Sequence, residues 1–288
     1  MMGWGREVDL SSLAVFQAVA KNGSISKAAK ELQYVQSNVT AKIKVLEEQL
    51  HADLFYRHSR GVTLTSAGEL LLFYAEKILS LVDEAKLAVN NSENPQGCLS
   101  IGSMETTAAF RLPSILAAYS KAFQQVEIKL KTAPTAQLVE DVLSFQLEGA
   151  FVGGQVDHPE LVCLPFVQEE LVLVKAARMK NADQAKILVF RNGCTYRRQL
   201  EKWLESEGKY PIQTMEFGSL DAIIGCVSAG MGISLLPKSV VATKIEAGEL
   251  VCENVPRKYG AVTTMFVTRR NAFISTAMKE FLNICRIV

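Results

Sequence analysis

The sequence predicts an α + α/β protein. A small N-terminal helical unit carrying a β-wing is followed by one long helix and a two-lobed C-terminal unit in which strands alternate with helices. Three observations predict it. Apolar residues recur at helical spacing from Leu10 to Leu46, interrupted by two short polar turns. Ser66–Asn90 carries an unbroken heptad-like stripe. Beyond residue 97, short runs rich in Val, Ile and Leu alternate with helical patterns. The chain has 288 residues, 49% hydrophobic and 21% charged, which supports two or three compact units rather than a disordered chain.

Asp9 is placed to cap a first helix reaching Asn22, with Leu10, Leu13, Phe16 and Ala20 at helical spacing. Asn22-Gly23 stops it. Ser24 or Ser26 caps a short second helix, Ser26–Leu32, whose Ala28 and Ala29 allow a close helix crossing. After a turn at Gln33-Tyr34, a third helix spans Gln36–Gln49 with Val39, Ile43 and Leu46 on one face. Two helices across so short a turn form a helix-turn-helix. The other face of the third helix carries Gln36, Ser37, Asn38, Thr40 and Lys42, side chains suited to base edges and phosphates. From Lys27 to Lys44, four lysines face a single acid, Glu31, although the whole chain has a net charge of only +1. A nucleic-acid surface must therefore be local. Leu54-Phe55 packs back on the helices, and Arg57, His58, Arg60 and Gly61 form a basic turn before Val62–Thr65. Strand, basic turn and strand make a wing. Any one of these lysines is ordinarily a solvated surface charge. Their joint arrangement marks Gln36, Ser37, Asn38, Thr40, Lys42, Arg57, His58 and Arg60 as the candidate DNA-binding residues.

Along Ser66–Asn90, Ala67, Leu71, Tyr74, Ile78, Leu81, Ala85 and Ala88 form a seam that a lone helix cannot bury. Pairing with a second copy is expected, as a homodimer or homotetramer. Residues 91–97 are polar with Pro95 and Gly97 and read as a hinge.

In the remainder, strands are expected at Cys98–Gly102, Val126–Lys131, Gly149–Val152, Leu171–Lys175, Ile187–Phe190, Gln213–Phe217, Ile233–Leu236 and Val262–Thr268. Helices are expected at Thr106–Phe123, Thr135–Phe145, Tyr196–Glu207, Leu220–Ala229 and Ser275–Cys285. The order implies mostly parallel sheets in two lobes, with crossings near Phe166–Glu169 and Met265–Thr268. Two strand-to-helix turns carry hydroxyls, Ser103–Thr107 and Phe217–Leu220. Ligands gather at the carboxyl ends of parallel strands, where free N–H groups favour anions. Helix capping is the ordinary role of each Ser or Thr taken singly. The run Phe190–Arg198 offers Arg191 or Arg197 to an anion and places Cys194 beside arginines. Gly230-Met231-Gly232 lies between a helix and a strand, the reverse of a phosphate loop.

Several motifs resemble those of the LysR-type transcriptional regulators. They are Phe16-Gln17-Ala18-Val19-Ala20, Gly23-Ser24, Ala28-Ala29 with Leu32, and Gln36-Ser37 with Val39-Thr40, Ile43 and Leu46-Glu47. Leu54-Phe55 with Arg57, Leu64-Thr65 with Ala67-Gly68, and Val227 to Pro237 are similar too. Val35 departs from the pattern, standing where that family commonly has Ser or Thr. The resemblance implies a winged helix-turn-helix DNA-binding domain over 1–65, a linker and dimerisation helix over 66–90 and a hinge over 91–97. It further implies a periplasmic-binding-protein-like effector domain over 98–288, with lobe I at 98–167 and 267–288 and lobe II at 168–266. The implied partners are a double-stranded DNA operator and a small-molecule inducer, anionic on the reasoning above. The implied effector residues are Ser103, Thr106, Thr135 and Ser219, to which Arg191 is added from the residues themselves.

Other functions find little support. The six cysteines are scattered without a Cys-x-x-Cys pair, so no metal site or disulfide framework is expected. The histidines, His51, His58 and His158, form no readable set with a nucleophile and an acid. No catalytic residue and no cofactor beyond the inducer is expected. No apolar run is long enough for a bilayer, and the N-terminus lacks a signal-peptide core, so a cytoplasmic location without membrane contact is expected. An architectural DNA-binding protein without a ligand is the alternative, and an α/β enzyme a more distant one.

Overall fold

The computed structural model describes residues 8–89, 94–179, 185–209 and 213–286. Residues 90–93 of the expected helix end and hinge, and the first seven residues, lie outside them. The chain divides into two compact units, Met1–Asn90 with Ser144–Gln146, and Asn91–Leu143 with Leu147–Val288.

The first unit holds helices α1 (Leu10–Asn22), α2 (Ile25–Glu31) and α3 (Gln36–Leu50), strands β1 (Phe55–His58) and β2 (Gly61–Leu64), and helix α4 (Ser66–Val89). Asp9 caps α1 by accepting from the Ser12 amide at 2.8 Å. Of the two candidate serines, Ser24 caps α2, accepting from Lys27 N at 3.4 Å. Helix α3 starts at Val35 with no side-chain cap. Phe16, Val19, Val39, Ile43 and Leu46 are wholly buried, as is Ala28. Phe16 meets Phe55 with ring centroids 5.2 Å apart, which anchors the wing to the helices. Strands β1 and β2 pair antiparallel through His58↔Gly61. Val62 N then donates to Gly23 O at 2.9 Å. Gly61 has φ +138, and a Cβ there would lie 2.2 Å from Gly23 O, so this join between wing and turn excludes any side chain. Thr65 starts α4, its hydroxyl donating to Asp53 O at 2.7 Å and accepting from Gly68 N at 3.0 Å. One face of α4, with Leu71, Leu72, Ala75 and Leu79, packs on the helical core. The other leaves Leu70, Phe73, Tyr74, Ile78 and Leu81 exposed.

The second unit contains β3 (Gly97–Ser103), α5 (Glu105–Phe110), α6 (Leu112–Ala122), β4 (Val126–Thr132), α7 (Thr135–Leu143), β5 (Gly149–Gly153) and β6 (Leu161–Ala176). Then come β7 (Lys186–Phe190), α8 (Thr195–Ser206), β8 (Thr214–Phe217), α9 (Leu220–Ser228), β9 (Gly232–Pro237), α10 (Lys238–Glu246), β10 (Leu250–Asn254), α11 (Arg257–Gly260), β11 (Ala261–Arg269) and α12 (Thr276–Cys285). The sheet order is β4-β3-β5-β11-β6-β9-β7-β8, with β10 beside β6. Strand β3 is parallel to β4 and β5, and β7 is parallel to β8 and β9. The long strands β6 and β11 run antiparallel to their neighbours. The expected mostly parallel sheet is therefore two parallel cores joined by antiparallel crossing strands. Strand β6 belongs to both lobes, pairing with β11 over Leu161–Glu170 and with β9 over Leu171–Val174. Strand β11 enters the β5 ladder at Thr264, beside a register shift at Thr264/Met265. This pairing runs through the expected Met265–Thr268. The expected helix Thr106–Phe123 is broken at Arg111, ahead of Pro113, because proline in a helix interior removes a backbone donor and clashes with the preceding turn. Tyr119, fully buried, donates to Ala277 O at 2.8 Å and ties α6 to α12.

Candidate functional site

On α3, Gln36, Ser37 and Asn38 are exposed together at the helix start. The hydroxyl of Thr40 donates back to Gln36 O at 3.0 Å, and Lys42 Nζ donates to Ser11 Oγ of α1 at 2.8 Å. Lys42 is thus half-buried between helices, while Gln36, Ser37 and Asn38 remain exposed. In the wing, Arg57, His58 and Arg60 are all exposed. Arg57 Nη2 lies 3.6 Å from Glu47 Oε2. That carboxylate also accepts from Leu54 N at 2.9 Å and fixes the start of the wing. Polar helix start and basic wing are the two features that groove and backbone contact require.

In the second unit a cavity of about 130 Å³ opens at the carboxyl ends of β3, β4, β7 and β8. Parallel strands end there on their helices, so backbone N–H groups and side chains converge. Met104, Glu105 and Thr106 line one side, and Thr132 to Thr135 continue it. Phe190, Arg191, Cys194, Tyr196, Phe217 and Gly218 line the other. Of the sequence-predicted effector residues, Thr106, Thr135 and Arg191 come together here. Ser103 is wholly buried and donates to Met104 O at 3.0 Å. Ser219 holds the N-cap position of α9 without a side-chain cap bond. Neither lines the cavity. Arg197 lies apart, held by Glu201 at 2.8 Å and Glu216 at 2.7 Å, which raise its pKa further.

Hydroxyl contacts join the two sides. Thr106 Oγ1 and Tyr196 Oη are 3.2 Å apart, both buried. Thr195 Oγ1 donates to Gly153 O at 2.9 Å, and Gly153 N donates to Thr135 Oγ1 at 3.1 Å. Burial pushes the Tyr196 phenol well above its ordinary value, so it serves as a neutral hydroxyl. Burial likewise raises the Cys194 thiol, despite Arg197 and Arg198 nearby. Arg191 is exposed, Glu105 half-buried, and among the described residues neither has an ion-pair or hydrogen-bond partner for its charged group. Gly218 makes room for the Arg191 guanidinium, since a Cβ there would lie 3.2 Å from Nη2. Sequence reasoning missed Glu105 and Tyr196. Glu105 lay within the quoted hydroxyl turn and Tyr196 within the arginine cluster, so strand-end position was the available signal. A second cluster was also missed: Arg111 donates from Nε and Nη2 to the two oxygens of buried Glu169, each at 2.9 Å. Ser239, at the start of α10, donates to Glu169 Oε2 at 3.3 Å. Among the described residues no group of three or more His, Cys, Asp or Glu side chains is placed to hold a metal, and no helix is long and apolar enough to cross a membrane.

The family model described as "Bacterial regulatory helix-turn-helix protein, lysR family" matches residues 10–69, and "LysR substrate binding domain" matches 92–287. The chain belongs to the LysR family. It is a DNA-binding transcriptional regulator with an operator-binding unit and an effector-binding unit. The transcriptional regulator GltR of Bacillus subtilis is 47% identical over 281 residues, 96% of this chain and 95% of that protein. The transcriptional regulator CzcR of Bacillus cereus is 44% identical over 278 residues, 96% of each chain. A full-length OxyR variant from Pseudomonas aeruginosa superposes with a TM-score of 0.70 at 18% identity, over 97% of this chain and 94% of that one. The LysR family regulator CbnR gives 0.68 at 20% identity, over 97% and 98%. These two likenesses concern the fold of this LysR-family regulator.

Proposed function

We propose that this regulator senses a small carboxylate-bearing metabolite in the cavity beside Arg191, and that it does so as a homo-oligomer paired through α4. The observation that carries the effector reading is an unpaired guanidinium among hydroxyls at four strand ends. An unpaired guanidinium at the mouth of a cavity lined by hydroxyls favours an anion with matching geometry. Thr106, Thr135 and Tyr196 supply neutral hydrogen bonds from both lobes. A ligand touching both lobes favours the arrangement that closes on it, and only such differential affinity shifts a conformation. The exposed row Leu70, Phe73, Tyr74, Ile78 and Leu81 supports pairing, because so continuous an apolar face on one helix calls for a partner. Gln36, Ser37 and Asn38 read base edges in this scheme, and Arg57, His58 and Arg60 hold phosphates. The protein works in the cytoplasm, with no resident cofactor and no catalytic step of its own. Thermal unfolding against a library of carboxylic metabolites tests the effector reading, because a ligand of the native state raises the melting temperature. The expected hit loses its effect in Arg191→Ala. A hit untouched by that change would place the effector elsewhere.

A further inference from the structure

Building on the reading of this cavity as the effector site, we propose that the effector is a small zwitterion of the amino-acid class. Its carboxylate meets Arg191 and its ammonium meets Glu105. The two residues line one cavity from different lobes, Glu105 at the start of α5 and Arg191 just after β7. Elsewhere the same unit pairs its converging charges: Arg111 with Glu169, Lys131 with Asp141, and Arg197 with Glu201 and Glu216. Glu105 and Arg191 are paired neither with each other nor with another described residue. A purely anionic ligand would have to sit beside the half-buried Glu105 carboxylate, which works against it. A ligand bearing one charge of each sign satisfies both side chains at once.

Polarity fixes the orientation. On the Arg191 side, α8 begins at Cys194 without a side-chain cap, so its first N–H groups add to the positive end; α5 also begins uncapped, at Met104, but there the Glu105 carboxylate supplies the negative charge. Between the two poles, Met104, Pro134, Phe190 and Phe217 give an apolar wall suited to a short hydrocarbon side chain. The volume of about 130 Å³ is close to the roughly 150 Å³ of an engineered cavity that holds benzene, so the skeleton is small. An acid in the first turn of a helix also complements the helix dipole without any ligand. The experiment therefore reads dependence on the ligand's amine, which a merely structural Glu105 would not move.

The purified full-length protein is titrated calorimetrically, and its unfolding followed, with the proteinogenic L-amino acids. Each is accompanied by its desamino acid and its decarboxylated amine, for instance L-alanine, propionate and ethylamine. The expected result is dose-dependent binding of at least one amino acid, with both of its analogues about tenfold weaker or more, the range for losing a charged hydrogen bond. Glu105→Gln narrows the gap between amino acid and desamino acid, Glu105→Asp retains part of it, and Arg191→Gln weakens both compounds. Unfolding without ligand checks that each variant is folded. A desamino acid that binds as tightly as its amino acid, or a gap that survives Glu105→Gln, overturns the zwitterion. If that binding still depends on Arg191, the carboxylate reading stands. Binding of the amine alone, binding indifferent to Arg191→Gln, or no binding of any compound rejects both.

Discussion

Cys194 stands between opposing influences: burial favours its neutral thiol, while Arg197 and Arg198 favour the thiolate, and burial prevails. Its alkylation by iodoacetamide should be slow at neutral pH and still climbing past pH 9, the ordinary thiol value, with no plateau there. Mass spectrometry of the labelled peptide measures this, and a plateau near pH 7 would show a thiolate that the arginines had won. Val35 presents a different case, being 69% exposed at the start of α3 with no cap to offer. Val35→Ser removes no buried contact and adds an acceptor for the first free N–H groups. It should stabilise the helix start by about 1 kcal/mol, seen as slower hydrogen exchange in the first turn of α3. Unchanged exchange would mean that water already satisfies those groups as well. The sequence alone revealed the missing cap, because a side chain without an oxygen cannot accept a bond. It did not reveal that Ser103 turns its hydroxyl onto Met104 O, or that Lys42 reaches Ser11. Rotamers that depend on neighbours distant in the chain leave no local pattern.

Helix α4 shows how much one element can carry on its pattern alone. Its period announces apolar faces but does not say which one its own domain uses. Leu71 of the expected seam goes inward with Leu72, Ala75 and Leu79, whereas Tyr74, Ile78 and Leu81 of that seam stay out. Ile78→Asp should therefore dissociate the oligomer in sedimentation while leaving the fold intact, because it puts charge only on the free face. An unchanged sedimentation coefficient would move the interface off α4. Recognition divides between α3 and the wing in the same way. Arg57→Ala should weaken binding to every DNA sequence and flatten its salt dependence. Gln36→Ala should instead alter the preferred operator, as selection from random sequence would show. Equal losses on all sequences for both variants would remove α3 from base reading. Strand β6 was legible only over its last part. Pro165, Glu169 and Glu170 break the alternation of its first part, and a strand that crosses between lobes has no single face to keep apolar. The break at Arg111 was written in Pro113, yet the flanking helical period masked it.

At the scale of the whole effector-binding unit, the alternation of strands and helices was enough to predict two lobes, since each parallel step needs a covering helix. The antiparallel crossing by β6 and β11 was not, because which strands become neighbours is settled by packing over long sequence separations. Those crossings leave the cavity walls on separate lobes, joined by hydroxyl contacts at the cavity as well as by a shared apolar core that includes Met104, Leu138 and Val152 of one lobe and Val189, Tyr196 and Leu200 of the other. Such a joint is sensitive to any group that leaves a neighbour unsatisfied. Tyr196→Phe strands the buried Thr106 hydroxyl, and Thr106→Val strands the buried Tyr196 hydroxyl. Each single change should cost about 1–3 kcal/mol, the range for leaving a buried polar group unpaired. The double variant removes both partners, so it should lose clearly less than the sum of the two. Urea unfolding followed by tryptophan fluorescence in a Trp4→Phe background, which leaves Trp203 as the reporter, completes the cycle, read on whichever transition reports the second unit. Additive losses would mean that the two hydroxyls do not depend on each other and that water satisfies each alone. A positive coupling would make the Thr106–Tyr196 bridge a real link between the lobes, and an effector that binds among these hydroxyls would then act on the bridge as it acts on the cleft.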